Sequence, residues 1–212
     1  MINEILFAVI QSITEFLPVS SSGHLALVSN LISQPNLFFF TALHIASLFA
    51  ILIFTRKEIY SLISFKKEYK KLWIYLIIAT IPAALFGFFF NDLIESSFSS
   101  YLFLGIAFIF TGIVLFFTRF SKVYSNLNIK NSILIGLFQV VALFPGISRS
   151  GMTISAGLFS GIDKEKAAKF SFLLFIPLSI GAFILELGDF YFDIALLVSF
   201  VLCTILSLFF LN

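Results

Sequence analysis

The chain has 212 residues, 60% hydrophobic and 11% charged, with a formal net charge of +2. Soluble domains carry about 45–50% apolar and about 25% charged residues, so the composition excludes a soluble globular protein and indicates an integral membrane protein. No basic stripe or aromatic-basic interleaving suggests nucleic acid. Cys203 is the only cysteine, which excludes an internal disulfide or a cysteine metal site and reads as a packed thiol.

In chain order, residues 1–18 read as a helix ended by Pro18. No Lys or Arg precedes the apolar residues 5–10, so no secretory signal is expected and this helix is expected to be retained. A polar loop at Ser20–His24 and a short helix from Leu25 to Ile32 follow. Neither helix reaches the ~20 residues that cross a bilayer, so together they read as a re-entrant hairpin. Non-helical backbone is tolerated at that depth only inside protein or a wet cavity. Spans are expected at 37–55, 72–90 (kinked by Pro82) and 101–118. Residues 131–144 read as a helix ended by Pro145-Gly146, and a polar loop and a helix at about 151–160 complete a second hairpin. Spans at about 169–187 and 191–211 finish the chain.

Twelve of the thirteen Lys and Arg residues lie in three segments, Arg56–Lys71, Arg119–Lys130 and Lys164–Lys169. The connections at 91–100 and 188–193 carry only acids, Asp92, Glu95, Asp189 and Asp193. By the positive-inside rule the basic segments face the cytoplasm. The first hairpin then enters from outside and the second from the cytoplasm. An offset of 128 places Gln11 on Gln139, Phe16 on Phe144, Ser20 on Ser148, Ser22 on Ser150 and Gly23 on Gly151. The fold expected is all-α and polytopic: two inverted-topology repeats, each starting with a re-entrant hairpin, and about five full spans. Repeat 1 covers 1–118, a cytoplasmic link 119–130, and repeat 2 covers 131–212. Such repeats place their polar site near the midplane where the halves meet.

Two polar islands interrupt the apolar sequence: Glu15-Phe-Leu-Pro-Val-Ser-Ser-Ser-Gly-His24 and Pro145-Gly-Ile-Ser-Arg-Ser-Gly-Met-Thr153. Ionisable groups at membrane depth are rare and are functional candidates by default. Gln11 and Glu15 share a helix face, and a carboxylate set among apolar residues wants a cation or a metal; Gln11 reads equally as a bond to a neighbouring helix. Ser20, Ser21 and Ser22 precede one helix, and Ser148 and Ser150 flank the start of another. Helix N-termini suit phosphate oxygens, and the planar fork of Arg149 suits phosphate bidentately. Arg149 also reads as a structural partner of Glu15, and the two roles are compatible. His24 reads as a general acid or base or a nucleophile, or as a structural hydrogen-bonder. His44, with Thr41 and Ser47 as its polar neighbours, reads as structural or supporting.

The motifs Gln11-x-x-x-Glu15-Phe-Leu-Pro-Val-Ser-Ser-Ser-Gly-His24 and Pro145-Gly-Ile-Ser-Arg-Ser-Gly-x-Thr153 closely resemble the two signatures of bacterial undecaprenyl-diphosphate phosphatases. Leu43-His44, Ala79-Thr-Ile-Pro-Ala-Ala84 and Phe170-Ser-Phe-Leu-Leu174 look similar too. The resemblance implies hydrolysis of undecaprenyl diphosphate to the monophosphate and inorganic phosphate, in the bacterial cytoplasmic membrane, at a site opening outward. It implies catalytic roles for Glu15, Ser21, His24 and Arg149, and phosphate binding by Ser20, Ser22, Ser148, Ser150, Thr153 and Gln139. It further implies a divalent cation, Mg²⁺ or Ca²⁺, held by Glu15 and Gln11 with diphosphate oxygens. Family members are usually longer; repeat 2 reads as lacking its final span, and the expectation is either a shortened enzyme that works alone, since both motifs are intact, or one that depends on a homodimer partner to cover the exposed face. The attacking group is a water activated by Glu15 or His24, or a serine, with Ser21 the best placed. One rival is a secondary transporter or channel of inverted-repeat type. The other is the acid-phosphatase type of lipid phosphatase, whose Lys-x6-Arg-Pro and His-x3-Asp stretches do not occur.

Overall fold

Two short helical hairpins pack among longer helices. The computed structural model describes residues 1–32, 37–63 and 67–211; Lys66 of the first basic segment lies outside them. These residues form eleven α-helices: α1 (Ile2–Thr14), α2 (Ser21–Ile32), α3 (Leu37–Phe54), α4 (Arg56–Ile63), α5 (Lys67–Phe89), α6 (Asn91–Ser97), α7 (Tyr101–Phe117), α8 (Ile129–Val141), α9 (Arg149–Phe159), α10 (Lys164–Leu185) and α11 (Ile194–Leu211). Five are long and apolar enough to span a membrane, namely α3, α5, α7, α10 and α11, as expected. The protein is an all-α, multi-pass membrane protein.

Exposed residues show why these helices need lipid. Ile74, Ile77, Ile81, Leu85 and Phe88 on α5, and Leu102, Ile106, Ile109, Ile113 and Phe116 on α7, are all exposed. Their spacing of three and four makes one apolar stripe per helix, which in water would be an outsized hydrophobic patch.

Several element bounds differ from the sequence expectation. The first helix ends at Thr14, four residues before Pro18, which has no N–H to bond the Thr14 carbonyl. The Ser20–His24 segment is no loop: α2 begins at Ser21, and Ser20 caps it by accepting from the Gly23 amide at 3.3 Å. Pro82 lies inside α5, which runs on to Phe89. The acidic connection after it contains α6. Asp163 caps α10 by accepting from the amides of Glu165 and Lys166, so α10 starts five residues before the expected 169.

Two cores hold the hairpins. Phe7 (α1), Leu25 (α2), Phe39 and Leu43 (α3), and Leu196 and Cys203 (α11) form one. Ile135 (α8), Ala156 (α9), Leu174 (α10) and Leu76 and Ala79 (α5) form the other. Each hairpin also touches α7, and the two pack in reciprocal fashion on spans from both halves of the chain: α1 against α11, α8 against α5. The α8–α5 approach is close enough that a side chain at Gly136 would meet the Ala79 carbonyl oxygen at 2.8 Å. Cys203 is free and buried.

The charged segments also cluster. Lys169 pairs with Glu58 at 3.6 Å, and Lys166 donates to Asn126 Oδ1 at 2.9 Å, so the three basic segments share one side. Asn91, Glu95 and Glu186, from the acidic connections and the end of α10, line a common cavity.

Candidate active site

The breaks between α1 and α2, and between α8 and α9, form two hinges that touch backbone to backbone. A side chain at Gly23 would meet Gly146 Cα and N at 2.6 Å and Phe108 at 2.8 Å. Ser20 Oγ accepts from the Gly146 amide at 3.1 Å, and Ser150 Oγ donates to the Leu17 carbonyl at 3.4 Å. The turn requires Gly146 at φ +89° and forces Ser20 to +66°, a conformation that costs a serine about 1–3 kcal/mol. From α7, Thr111 Oγ1 donates to the Gly146 carbonyl and accepts from the Ser148 amide.

The two local folds match closely. Ser148 caps α9 by accepting from Gly151 N at 3.0 Å, as Ser20 caps α2. Ser20 and Ser22 hydroxyls lie 3.3 Å apart, and so do those of Ser148 and Ser150. Gln11 and Gln139 are both fully buried.

Where the hinges meet, Arg149 Nη2 donates to Glu15 Oε1 at 2.6 Å. The other carboxylate oxygen, Oε2, accepts from Ser21 Oγ at 2.5 Å and Gln11 Nε2 at 2.9 Å, and His44 Nε2 stands 3.5 Å from it. Only 5% of the Glu15 side chain is exposed. A buried carboxylate is tolerable when its charge is paired and its lone pairs are bonded, and this one has both. Arg149 also donates from Nη1 to the Ser171 carbonyl at 3.3 Å, and its guanidinium lies 4.1 Å from the Phe175 ring centroid, a cation–π contact. The remaining donors of its five-N–H fork are left for a ligand.

The pair opens on a cavity of about 400 Å³ lined by Glu15, Ser20, Ser21, Ser22, His44, Ser148, Arg149 and Ser150. Apolar and small residues of α5 and α10, including Ala83, Ala84, Gly87, Leu178 and Ala182, continue its wall. A polar floor under an apolar wall suits an amphiphile with an anionic head group.

The expected residues divide accordingly. Glu15, Ser21, Arg149, Ser20, Ser22, Ser148 and Ser150 reach the cavity. Gln11, Gln139, Thr153 and His24 are not in its wall. Gln11 stands behind Glu15, its N–H on the carboxylate. Gln139 donates to the Ala79 carbonyl at 3.2 Å. Thr153 ties α9 to α10 through Ser171 Oγ at 2.7 Å. His24 Nδ1 lies 2.7 Å from the Ser20 carbonyl oxygen, and its ring packs edge-on against Phe108. Sequence reasoning passed over Thr111, Ser171 and Phe175, and it read His44, which lines the cavity, only as structural or supporting. Thr41, His44 and Ser47 fall at spacing three on an otherwise apolar span. The pin from Thr111 left a weaker signal, a polar residue in the middle of α7.

The donors suit a hard cation in kind, since carboxylate and hydroxyl oxygens line the cavity. They suit it only partly in number. Among the described residues no three His, Cys, Asp or Glu side chains converge on one point, and Glu15 is shared with Arg149. The residues present would hold a divalent ion only together with oxygens brought by a ligand.

A family model for the bacitracin resistance protein BacA matches residues 4–212. An undecaprenyl-diphosphatase of Thermosipho africanus is 47% identical over 192 residues, 87% of this chain and 77% of that protein. One from Methanococcus maripaludis strain C7 is 41% identical over 211 residues, covering 94% and 84%. One from Alkaliphilus metalliredigens is 37% identical over 234 residues, covering 96% and 84%. A match over nearly the whole chain, on a structure that joins its two signature segments at one carboxylate–guanidinium pair, makes this chain a member of the BacA family.

Proposed function

We propose that the chain hydrolyses undecaprenyl diphosphate to undecaprenyl phosphate and inorganic phosphate, returning the lipid carrier to cell-wall synthesis. The observation that carries this is the Glu15–Arg149 pair, flanked by Ser21 and two helix N-termini on the floor of an apolar-walled cavity. The relatives are named for this hydrolysis, and the transporter reading has no comparable support.

In the reaction proposed, the free N–H groups of Arg149 and the first amides of α2 and α9 hold the terminal phosphate and neutralise its developing charge. Ser21 Oγ attacks the terminal phosphorus and passes its proton to Glu15 Oε2, 2.5 Å away. The bond from phosphorus to the bridging oxygen breaks, and undecaprenyl phosphate leaves. Water then attacks the phosphoserine, and phosphate departs as Ser21 regains a proton. The short contact to a carboxylate inside the cavity favours Ser21 over a bound water. Gln11 orients Glu15, and His24 fixes the first turn of α2 through the Ser20 carbonyl. Glu15, with oxygens of the substrate, would hold Mg²⁺ or Ca²⁺, which would supply further charge neutralisation.

The reciprocal packing of the hairpins and the matched hinges support two inverted repeats, 1–118 and 131–212, joined by the link 119–130. The clustering of the basic segments on one side and of Asn91, Glu95 and Glu186 about the cavity supports a site opening to the outer face of the cytoplasmic membrane. A second copy as partner would show in the mass of the detergent-solubilised particle. The activity is tested by phosphate release from a C15 or C55 prenyl diphosphate by purified protein, with and without EDTA. Release that EDTA abolishes and Mg²⁺ or Ca²⁺ restores is expected; no release from either substrate would refute the function.

A further inference from the structure

The mechanism above leaves His44 without a task, although it lines the cavity beside Glu15. His44 sits midway along the spanning helix α3, and its ring faces the floor of the cavity. Its Nδ1 lies 2.8 Å from the Phe40 carbonyl oxygen. A carbonyl oxygen only accepts, so Nδ1 carries the hydrogen. That leaves Nε2 as the working atom, aimed at Glu15 Oε2 across 3.5 Å, the same oxygen that Ser21 Oγ bonds. Both atoms border the cavity beside Ser21, so a phosphoryl oxygen brought within reach of Ser21 Oγ also comes within reach of Nε2.

His24 provides the internal contrast. It makes the same bond to the carbonyl four residues back, at 2.7 Å, but its ring rests on Phe108 at 5.0 Å between centroids and is not in the cavity wall. The motif histidine is therefore the one turned away, and the histidine read as structural or supporting is the one turned in.

We propose that His44 contacts the substrate, its Nε2 holding an oxygen of the terminal phosphoryl group while Ser21 attacks. The hydrogen bond contains one proton whether phosphate or imidazole brings it, so the contact does not depend on which partner is protonated first. Arg149 and His44 then grip the phosphoryl group from opposite walls, α9 and α3, with Glu15 between them. Two grips fix the phosphorus relative to Ser21, and positioning of this kind acts on turnover more than on capture. This inference rests on the function proposed above and adds a residue to it.

The test compares His44→Gln with His44→Leu in the full-length protein, two side chains of similar size of which only one hydrogen-bonds. Phosphate release from farnesyl diphosphate gives kcat and KM. Binding of a non-hydrolysable farnesyl methylenebisphosphonate gives a readout independent of turnover. A hydrogen bond to a charged group is worth roughly 10- to 100-fold, so His44→Leu should lose about that much of kcat and bind the bisphosphonate more weakly. His44→Gln should recover about tenfold or more, with both variants melting near the parent. Equal activity of the two variants beside an active parent would overturn the role of His44 and leave the function standing. A parent that releases no phosphate would overturn both.

Discussion

The two hinges share a scaffold and differ in what they carry. Each has a buried glutamine, a capping serine, a second serine hydroxyl 3.3 Å from the first and a glycine in the first turn of its short helix. At the offset that aligns these, Glu15 falls on Leu143, Ser21 on Arg149 and His24 on Met152. The glutamines diverge in the same way: the N–H of Gln11 goes to a carboxylate, that of Gln139 to the Ala79 carbonyl. Groups that shape backbone are duplicated, whereas groups that do chemistry occur once. One hinge supplies a base and a hydroxyl, the other a cation, and neither is a site alone.

That division can be broken at four points. Ser21→Ala removes the attacking hydroxyl and should lower kcat on the order of 10²–10⁴-fold, read by phosphate release; an active variant would return the attack to water. Gly23→Ala drives a methyl into Gly146 and Phe108. Overpacking of that order costs about 1–3 kcal/mol, so a lower melting temperature in detergent and a clear loss of activity should come together. Gly151→Ala, whose new methyl would meet only the Ser148 side chain at 3.0 Å and Pro18 Cβ at 3.4 Å, should cost less by the same melt. Ser148→Ala removes a cap worth about 1 kcal/mol and should change stability more than turnover.

Much of the scaffold was legible because membrane depth writes itself into apolar length. The five spans and both hairpins follow from run length, Pro18 and Pro145-Gly146, whereas the capping by Ser20 and Ser148 was not read from the serine spacing. The need of Glu15 for a cation was legible too, since a carboxylate followed directly by Phe16, Leu17 and Pro18 is poorly placed on a solvated surface. The rest depends on which helix faces which. Ser171 and Phe175 meet Arg149 across a helix interface, and no periodicity on α10 announces it. The motif position of His24 gave no sign that its ring packs on Phe108. His44 was visible only as a polar residue on an apolar span, and its meaning came from the oxygen it faces.

The closest test of a single site built from two hinges is a double-mutant cycle on Glu15→Gln and Arg149→Gln, read as kcat/KM for phosphate release. Groups that work as a unit are not additive, so each single change should cost about 10³-fold or more and the double variant little beyond the worse single one. Losses that simply multiply, or a single variant near parental activity, would contradict the account.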